Sequence, residues 1–269
     1  MSHLVALAAA LGPDATLISD PDITSSYSRD HAPFAESSPP FAVLLAKNVT
    51  EISKALAFAN ENKIPVVTRG AGSGLSGGAN SDAQSLVISL EKMNQILEID
   101  PANQIARVQA GVINIDLDNA AKEHGLAYLP DPASREWSTL GGNAATNAGG
   151  MCCVKYGVTS AHVRALQVVL ATGEVIELGS ATKKSVTTYD LAHLFIGSEG
   201  TRARLKPRRC ASAKRRDTPL TLRISPARPT SPMATKSAGR ASAFAADATA
   251  SASAKSAAGS DIFIPPVVS

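Results

Sequence analysis

Cysteine is scarce in this 269-residue sequence, and long apolar runs are missing. Three cysteines, two of them adjacent at Cys152 and Cys153, make no disulfide framework, so we interpret them as structural thiols in a reducing cytoplasm. No apolar run approaches the roughly 18–20 residues that span a bilayer. The apolar run of residues 4–11 lacks the basic leader of a secretory signal. We therefore predict a cytoplasmic protein without a transmembrane segment.

Histidine is sparse as well, and the histidines are scattered. They are His3, His31, His124, His162 and His193. Neither these residues nor the adjacent cysteines have the short, regular spacing of metal ligands. We predict no metal site, and we interpret each histidine as a surface or core imidazole.

Glycine, by contrast, is concentrated in one short stretch. Five glycines fall within residues 70–78, directly after an apolar run, 64–67, that predicts a buried strand. Glycine costs backbone entropy, so this density indicates close approach of the backbone to something else. Successive inward N–H groups form a concavity that binds anions. Arg69, the only charged residue of the stretch, is a donor suited to phosphate. The stretch predicts a pyrophosphate-binding loop.

Two other phosphate loops fit this stretch poorly. A P-loop ends in Gly-Lys-Ser/Thr, whereas residues 77–79 are Gly-Gly-Ala. Residues 72–77 match the dinucleotide pattern G-x-G-x-x-G, but that pattern must open a helix, and residues 79–84 lead directly into a predicted strand at 85–90. For the first stretch taken alone, a flexible surface loop without a ligand remains the alternative interpretation.

A second glycine cluster runs through residues 130–150 and is followed by Tyr156-Gly157 and by Phe-Ile-Gly-Ser-Glu-Gly-Thr at 195–201. Together with the first loop, these motifs resemble the FAD-binding domain of the vanillyl-alcohol oxidase / p-cresol methylhydroxylase (PCMH) superfamily. Within it, the likeness is greatest to the glycolate oxidase flavoprotein subunit and the D-lactate dehydrogenases. The resemblance covers roughly residues 35–201.

The resemblance implies an α+β fold, a PCMH-type FAD-binding domain of two α/β lobes with FAD between them. Residues 1–95 would form the first lobe and residues 96–201 the second. Local patterns agree, since residues 41–46 predict a strand and residues 51–62 predict an amphipathic helix that Thr50 caps.

The resemblance also implies the residues that bind FAD. We predict non-covalent binding, because the first loop has no histidine that could tether the flavin. For each single polar residue, a turn-capping role stays the alternative. The predicted cofactor-binding residues are Arg69, Gly70, Ala71, Gly72, Ser73, Gly74, Leu75, Ser76, Gly77, Pro130, Asp131, Ser134, Thr139, Gly142, Asn143, Thr146, Gly149, Gly150, Tyr156 and Gly157.

The function that the resemblance implies is oxidation of a small 2-hydroxy acid, of the glycolate or D-lactate type, by hydride transfer to flavin. It further implies partner subunits or an electron acceptor, as in glycolate oxidase. In the relatives the substrate anchor and the base come chiefly from a C-terminal cap domain, which we expect to be missing here. We therefore expect impaired turnover and predict no catalytic residue. Two alternatives stay open: an FAD-dependent reductase of the same fold, such as the enolpyruvyl-UDP-glucosamine reductases, and a flavin-binding fragment without activity.

The sequence changes character after Thr201. Residues 201–269 hold 13 basic and 3 acidic side chains, against 13 and 20 in residues 1–200, and 39 of those 69 residues are Ala, Ser, Thr or Pro. We predict a basic, disordered tail over 202–269, and we hypothesise that it arose from a reading-frame shift near codon 201. A basic arm that binds nucleic acid is the alternative. The tail has only two aromatic residues and no motif, so we predict no nucleic-acid partner.

Overall fold

Two β-sheets organise the computed structural model, which describes residues 3–182, 189–200 and 220–226. All of these residues belong to one unit, 1–227. The helices are α1 (His3–Leu11), α2 (Pro21–Thr24), α3 (Val49–Glu61), α4 (Asn114–Lys122), α5 (Leu140–Thr146), α6 (Cys153–Tyr156), α7 (Thr159–His162) and α8 (Ala192–Phe195). The strands are β1 (Thr16–Ile18), β2 (Ala42–Leu45), β3 (Val66–Arg69), β4 (Leu86–Ser89), β5 (Ile96–Asp100), β6 (Ile105–Val108), β7 (Leu126–Ala127), β8 (Val163–Val169), β9 (Val175–Gly179), β10 (Leu220–Arg223) and β11 (Ser225–Pro226).

The first sheet has the strand order β1-β2-β4-β3. β4 pairs in parallel with both β2 and β3, while β1 joins the edge antiparallel. All four residues of β2 and of β4 are buried, as expected of a parallel sheet covered on both faces. The predicted helix at 51–62 is α3. Its cap is Asn48 rather than Thr50, because the Asn48 side chain accepts from the Glu51 N–H at 3.0 Å and α3 begins at Val49.

The second sheet is antiparallel throughout and has the order β5-β6-β10-β8-β9. Its central strand, β10, comes from a segment that we predicted to be disordered. Leu220, Leu222 and Ile224 are buried in the core of this sheet. The apolar residues alternate at 220, 222 and 224, which is the pattern of a strand, and the average composition of the tail concealed it. Residues 202–219 and 227–269 of the predicted tail lie outside the described residues.

Within the described residues, no helix is long and apolar enough to cross a bilayer. The same residues contain no group of three or more His, Cys, Asp or Glu side chains that could hold a metal ion.

Candidate functional site

The first glycine loop joins β3 to β4. These strands are parallel neighbours, so the chain must return along the sheet between them, and it does so through residues 70–85 without a helix. The loop therefore lies at the carboxyl end of β3, where parallel sheets present their ligand-binding edge. The connectivity agrees with the exclusion of the G-x-G-x-x-G dinucleotide fold.

The second glycine cluster is built around a short helix. Thr139 is the N-cap of α5, and its Oγ1 accepts from the Gly142 N–H at 3.2 Å. Further along, a Cβ on Gly150 would overlap the backbone carbonyl of Asp131. The Asp131 carboxylate in turn accepts from the Cys152 N–H at 2.9 Å. Close backbone packing explains why glycine is needed at position 150.

The two clusters meet in one cleft of about 380 Å³, with both Gly72 and Gly142 in its lining. At the point of closest approach, a Cβ on Gly70 would overlap Oγ1 of Thr139. A smaller, mostly apolar cavity of about 90 Å³ shares Gly70, Gly142 and Ala145 with the cleft. The cleft and this cavity are therefore adjoining parts of one site between the two glycine clusters.

Most of the predicted cofactor-binding residues line this cleft. They are Gly70, Ala71, Gly72, Ser73, Gly74, Leu75, Ser76, Ser134, Thr139, Gly142, Asn143, Thr146 and Gly149. The other predicted residues do not line it: Arg69, Gly77, Pro130, Asp131, Gly150, Tyr156 and Gly157. Asp131 and Gly150 contact each other next to the second glycine cluster, outside the lining of the cleft.

The cleft contains two carboxylates that the sequence analysis did not select. Asp30 lies in a segment without any periodic pattern, so no sequence signal identified it. Glu199 lies in the motif at 195–201, and a Cβ on Gly78 would overlap its carboxylate oxygen, which brings this motif against the first loop. The Glu199 N–H donates to the Ala145 carbonyl at 2.8 Å, which ties the motif to α5.

Asn143 lines the cleft and carries a buried, unsatisfied hydrogen-bond donor. Its side chain is buried, and among the described residues its Nδ2 is one of three buried side-chain atoms without a hydrogen-bond partner. A buried amide without a partner costs about 1–3 kcal/mol, so such a group indicates a ligand that supplies an acceptor. The narrow glycine-lined walls and this free donor fit an elongated polar cofactor such as FAD.

Arg69 differs from the expectation. Its guanidinium donates to the Arg29 carbonyl at 2.8 Å and lies 5.9 Å from the centre of the Tyr27 ring. Burial lowers the pKa of this guanidinium, while the nearby charge of Asp30 opposes the shift. Arg69 lines the small apolar cavity and a third cavity of about 430 Å³, which it shares with Tyr27 and Glu91.

Comparison with known proteins identifies the family. The family described as "FAD binding domain" matches residues 40–179, which is just over half of the chain. The chain belongs to this family of FAD-binding domains. Subunit GlcD of glycolate oxidase from Bacillus subtilis is 47% identical over 175 residues, covering 65% of this chain and 37% of that protein. D-lactate dehydrogenase from Anaerostipes hadrus is 43% identical over 191 residues, covering 71% of this chain and 40% of that protein.

A solved structure supports the fold of this FAD-binding domain. Alkyldihydroxyacetonephosphate synthase superposes with a TM-score of 0.67 at 22% identity, covering 83% of this chain and 43% of that one. The predicted α+β, PCMH-type fold of the FAD-binding domain is confirmed. The chain spans about two fifths of the length of the curated relatives it matches.

Proposed function

We propose that this chain binds FAD non-covalently in the cleft between its two glycine clusters and serves the oxidation of a small 2-hydroxy acid. The observation that carries the proposal is the convergence of residues 70–76 and 139–149 on one cleft that holds the free amide of Asn143. Bound FAD would supply the two-electron acceptor that oxidation of an alcohol requires.

The chain's own residues would bind and orient the cofactor. Backbone N–H groups of the first loop would hold the diphosphate, because bare glycine backbone lets phosphate oxygens come close. Asn143 would donate its free N–H to a polar atom of the cofactor, and Thr139 would fix the start of α5. Neutral polar side chains such as Ser134 and Thr146 suit hydroxyl groups and ring heteroatoms.

The substrate class is inferred from the relatives. Glycolate and D-lactate, which appear in their names, are both 2-hydroxy acids. Impaired turnover, partner subunits and a cytoplasmic location stay predictions.

An absorption spectrum tests the proposal directly. The purified protein is expected to be yellow, and anaerobic addition of glycolate or D-lactate is expected to bleach the flavin band. Bleaching by NADPH alone would favour the reductase alternative. A flavin band that no 2-hydroxy acid bleaches would favour a binding fragment without activity, and a colourless protein that does not take up added FAD would contradict the proposal.

The non-covalent attachment has its own test. Acid precipitation is expected to release the flavin into the supernatant. Flavin that stays in the washed pellet would contradict this part of the proposal.

We further propose that the sequence after Thr201 arose from a shift of reading frame. The abrupt change from acidic to basic composition at this point supports it. In the same DNA, another frame just past codon 201 is expected to encode an apolar strand and then a cap domain. A stop codon or unrelated sequence in both other frames would contradict the proposal.

A further inference from the structure

Two charged side chains lie against the first glycine loop, that of Asp30 and that of Arg69 at the end of β3. A Cβ on Gly72 would overlap the guanidinium of Arg69, so this side chain fills the space directly under the loop. Gly72 has φ +71°, a conformation that residues with a Cβ rarely adopt. The loop therefore arches over Arg69, and residues 70–80 carry no charged side chain.

Asp30 holds the same loop at several points. Its Oδ1 accepts from the Ala32 N–H at 2.8 Å, and its Oδ2 lies 3.5 Å from the Ala79 N–H, near the end of the loop. Its own N–H donates to the Asn80 side chain at 2.8 Å. Asp30 is 5% exposed, so its carboxylate is almost fully removed from water.

Backbone hydrogen bonds connect the same two segments. The His31 N–H donates to the Gly74 carbonyl at 2.9 Å, and the Ser81 N–H donates to the Ser28 carbonyl at 2.8 Å. The middle and the end of the loop are thus joined to residues 28–31.

The opposite charges of Asp30 and Arg69 lie on the same side of the first glycine loop. A buried carboxylate needs a nearby cation, because burial without one is costly. Arg69 is a cation on the same side of the loop as Asp30: its guanidinium lies at the Cβ position of Gly72, and the Asp30 carboxylate lies 3.2 Å from the Cβ position of Gly74. The charge of Asp30 also opposes the effect of burial on the Arg69 pKa. The Tyr27 hydroxyl in turn lies 3.3 Å from a Glu91 carboxylate oxygen. An arginine already engaged by these groups and by the Arg29 carbonyl is a poor ligand for a diphosphate.

We propose that Arg69 and Asp30 are positioning residues, which hold the first glycine loop in its arched form so that backbone N–H groups alone, without a cation from the loop, receive the diphosphate. The inference rests on the proposed FAD binding for its functional meaning. The support itself is independent of the cofactor, because every contact above is made by the chain.

Hydrogen–deuterium exchange of the flavin-free, full-length protein tests the support. In Arg69→Met, exchange of the His31 and Ser81 amides is expected to rise about tenfold or more, since the variant removes the hydrogen bond of a charged group to the Arg29 carbonyl and takes a nearby cation away from the buried Asp30. Amides of β2 and β6 are expected to exchange as before. Arg107→Met is the matched control, because Arg107 forms a half-exposed ion pair with Glu98 on β5 at 3.4 Å, on a different sheet from the loop. In Arg107→Met, exchange of the His31 and Ser81 amides is expected to stay unchanged.

A double variant tests the charge balance. Adding Asp30→Asn to Arg69→Met also removes the buried carboxylate charge that has lost its nearby cation, so the double variant is expected to protect the loop better than Arg69→Met alone. Arg69→Lys keeps the charge but loses the planar donor group, and we expect an intermediate effect. It also serves as the second variant should Arg69→Met fail to fold. Additive damage in the double variant would overturn the proposed charge balance.

Two further results would contradict the positioning role of Arg69. If Arg69→Met leaves loop exchange unchanged but weakens FAD binding, then Arg69 is a direct phosphate ligand. If exchange rises equally in the loop, β2 and β6, then Arg69 acts only on global stability. In contrast, a loosened loop in a protein that never binds FAD would support the positioning role while contradicting the proposed function.

Discussion

The two walls of the cleft are built in opposite ways. The first wall is a loop with little internal structure, held from beneath by residues 27–31 and by Arg69. The second wall is α5 and the backbone around Asp131 and Gly150, where close packing sets the shape. Glycine is needed in the first wall for its positive φ at Gly72 and in the second for contact between backbones. The same residue type thus answers two different physical requirements.

The two walls also differ in the sequence separation between each wall and the strands that it packs on. The first wall stands on β3 and β4, which flank it directly in sequence. The second wall packs on a sheet whose central strand, β10, enters from residues 220–223. The second wall should therefore be more sensitive to changes far away in the sequence, and the predictions below follow from this difference.

The largest effect is expected from the distant strand. Leu222 is 1% exposed and lies in the core of the second sheet, so Leu222→Ala should lower the free energy of unfolding by about 2–5 kcal/mol. Denaturant unfolding measures this loss. Leu75→Ala, at the exposed tip of the first wall, is the control and should change stability by less than about 0.5 kcal/mol. Equal effects of the two variants would show that β10 contributes nothing to the second wall.

A smaller loss is expected from overpacking the second wall itself. In Gly150→Ala the new Cβ meets the Asp131 carbonyl, which is backbone and cannot rotate away. We expect a cost of about 1–3 kcal/mol in the free energy of unfolding, together with loss of FAD binding. Gly125→Ala is a useful control, because no atom lies within 4 Å of its Cβ position and only the backbone strain of φ +70° remains. If Gly150→Ala is as stable as the unsubstituted protein, the close packing of Gly150 against Asp131 is contradicted.

Much of this architecture could be predicted from the sequence, and the failures have physical causes. The first loop and α3 carry local signals, namely glycine density and a 3.6-residue apolar period. Asp30 carries none, because its importance depends on a contact with residue 79, which the fold alone creates. The motif order placed Arg69 among the predicted cofactor-binding residues, but residue type could not reveal that its guanidinium lies under the loop and donates to the Arg29 carbonyl. β10 was missed because four strand residues were averaged into a tail rich in Ala and Ser.

A third pair of variants separates binding from stability. Gly142 lies inside α5, where its Cβ would meet only the Thr139 hydroxyl at 3.0 Å. Gly142→Ala should therefore change the free energy of unfolding by no more than about 1 kcal/mol, since alanine favours helix. It should still weaken FAD binding about tenfold or more, because a methyl group enters the cleft. Flavin fluorescence titration measures the affinity. Gly72→Ala should weaken binding similarly, but it should also cost about 1–2 kcal/mol of backbone strain and displace the Arg69 guanidinium, which the new Cβ would overlap. Unchanged affinity in both variants would place the cofactor elsewhere.

The smallest effect is expected from a change of pH, which should alter the free energy of unfolding through His162, next to the second wall. His162 is buried, and its Nε2 and Nδ1 lie 3.0 and 3.4 Å from the carbonyl oxygens of Tyr156 and Arg223. Burial lowers the pKa of His162, so the unfolded chain takes up a proton before the folded one does. Stability from this residue is therefore complete above its unfolded pKa, about 6.5, and declines as pH falls from there towards the folded pKa.

His193 acts in the opposite direction and must be separated from His162. Its hydrogen bond with Asp190 raises the pKa of His193, so it adds stability below about pH 6.5 that is lost as pH rises through the folded pKa. Unfolding measured between pH 7.5 and 5 should show a steeper acid-side loss in His193→Gln and a shallower one in His162→Gln. An identical pH profile in His162→Gln and the unsubstituted protein would mean that this ring is not held neutral between the α6 and β10 carbonyls.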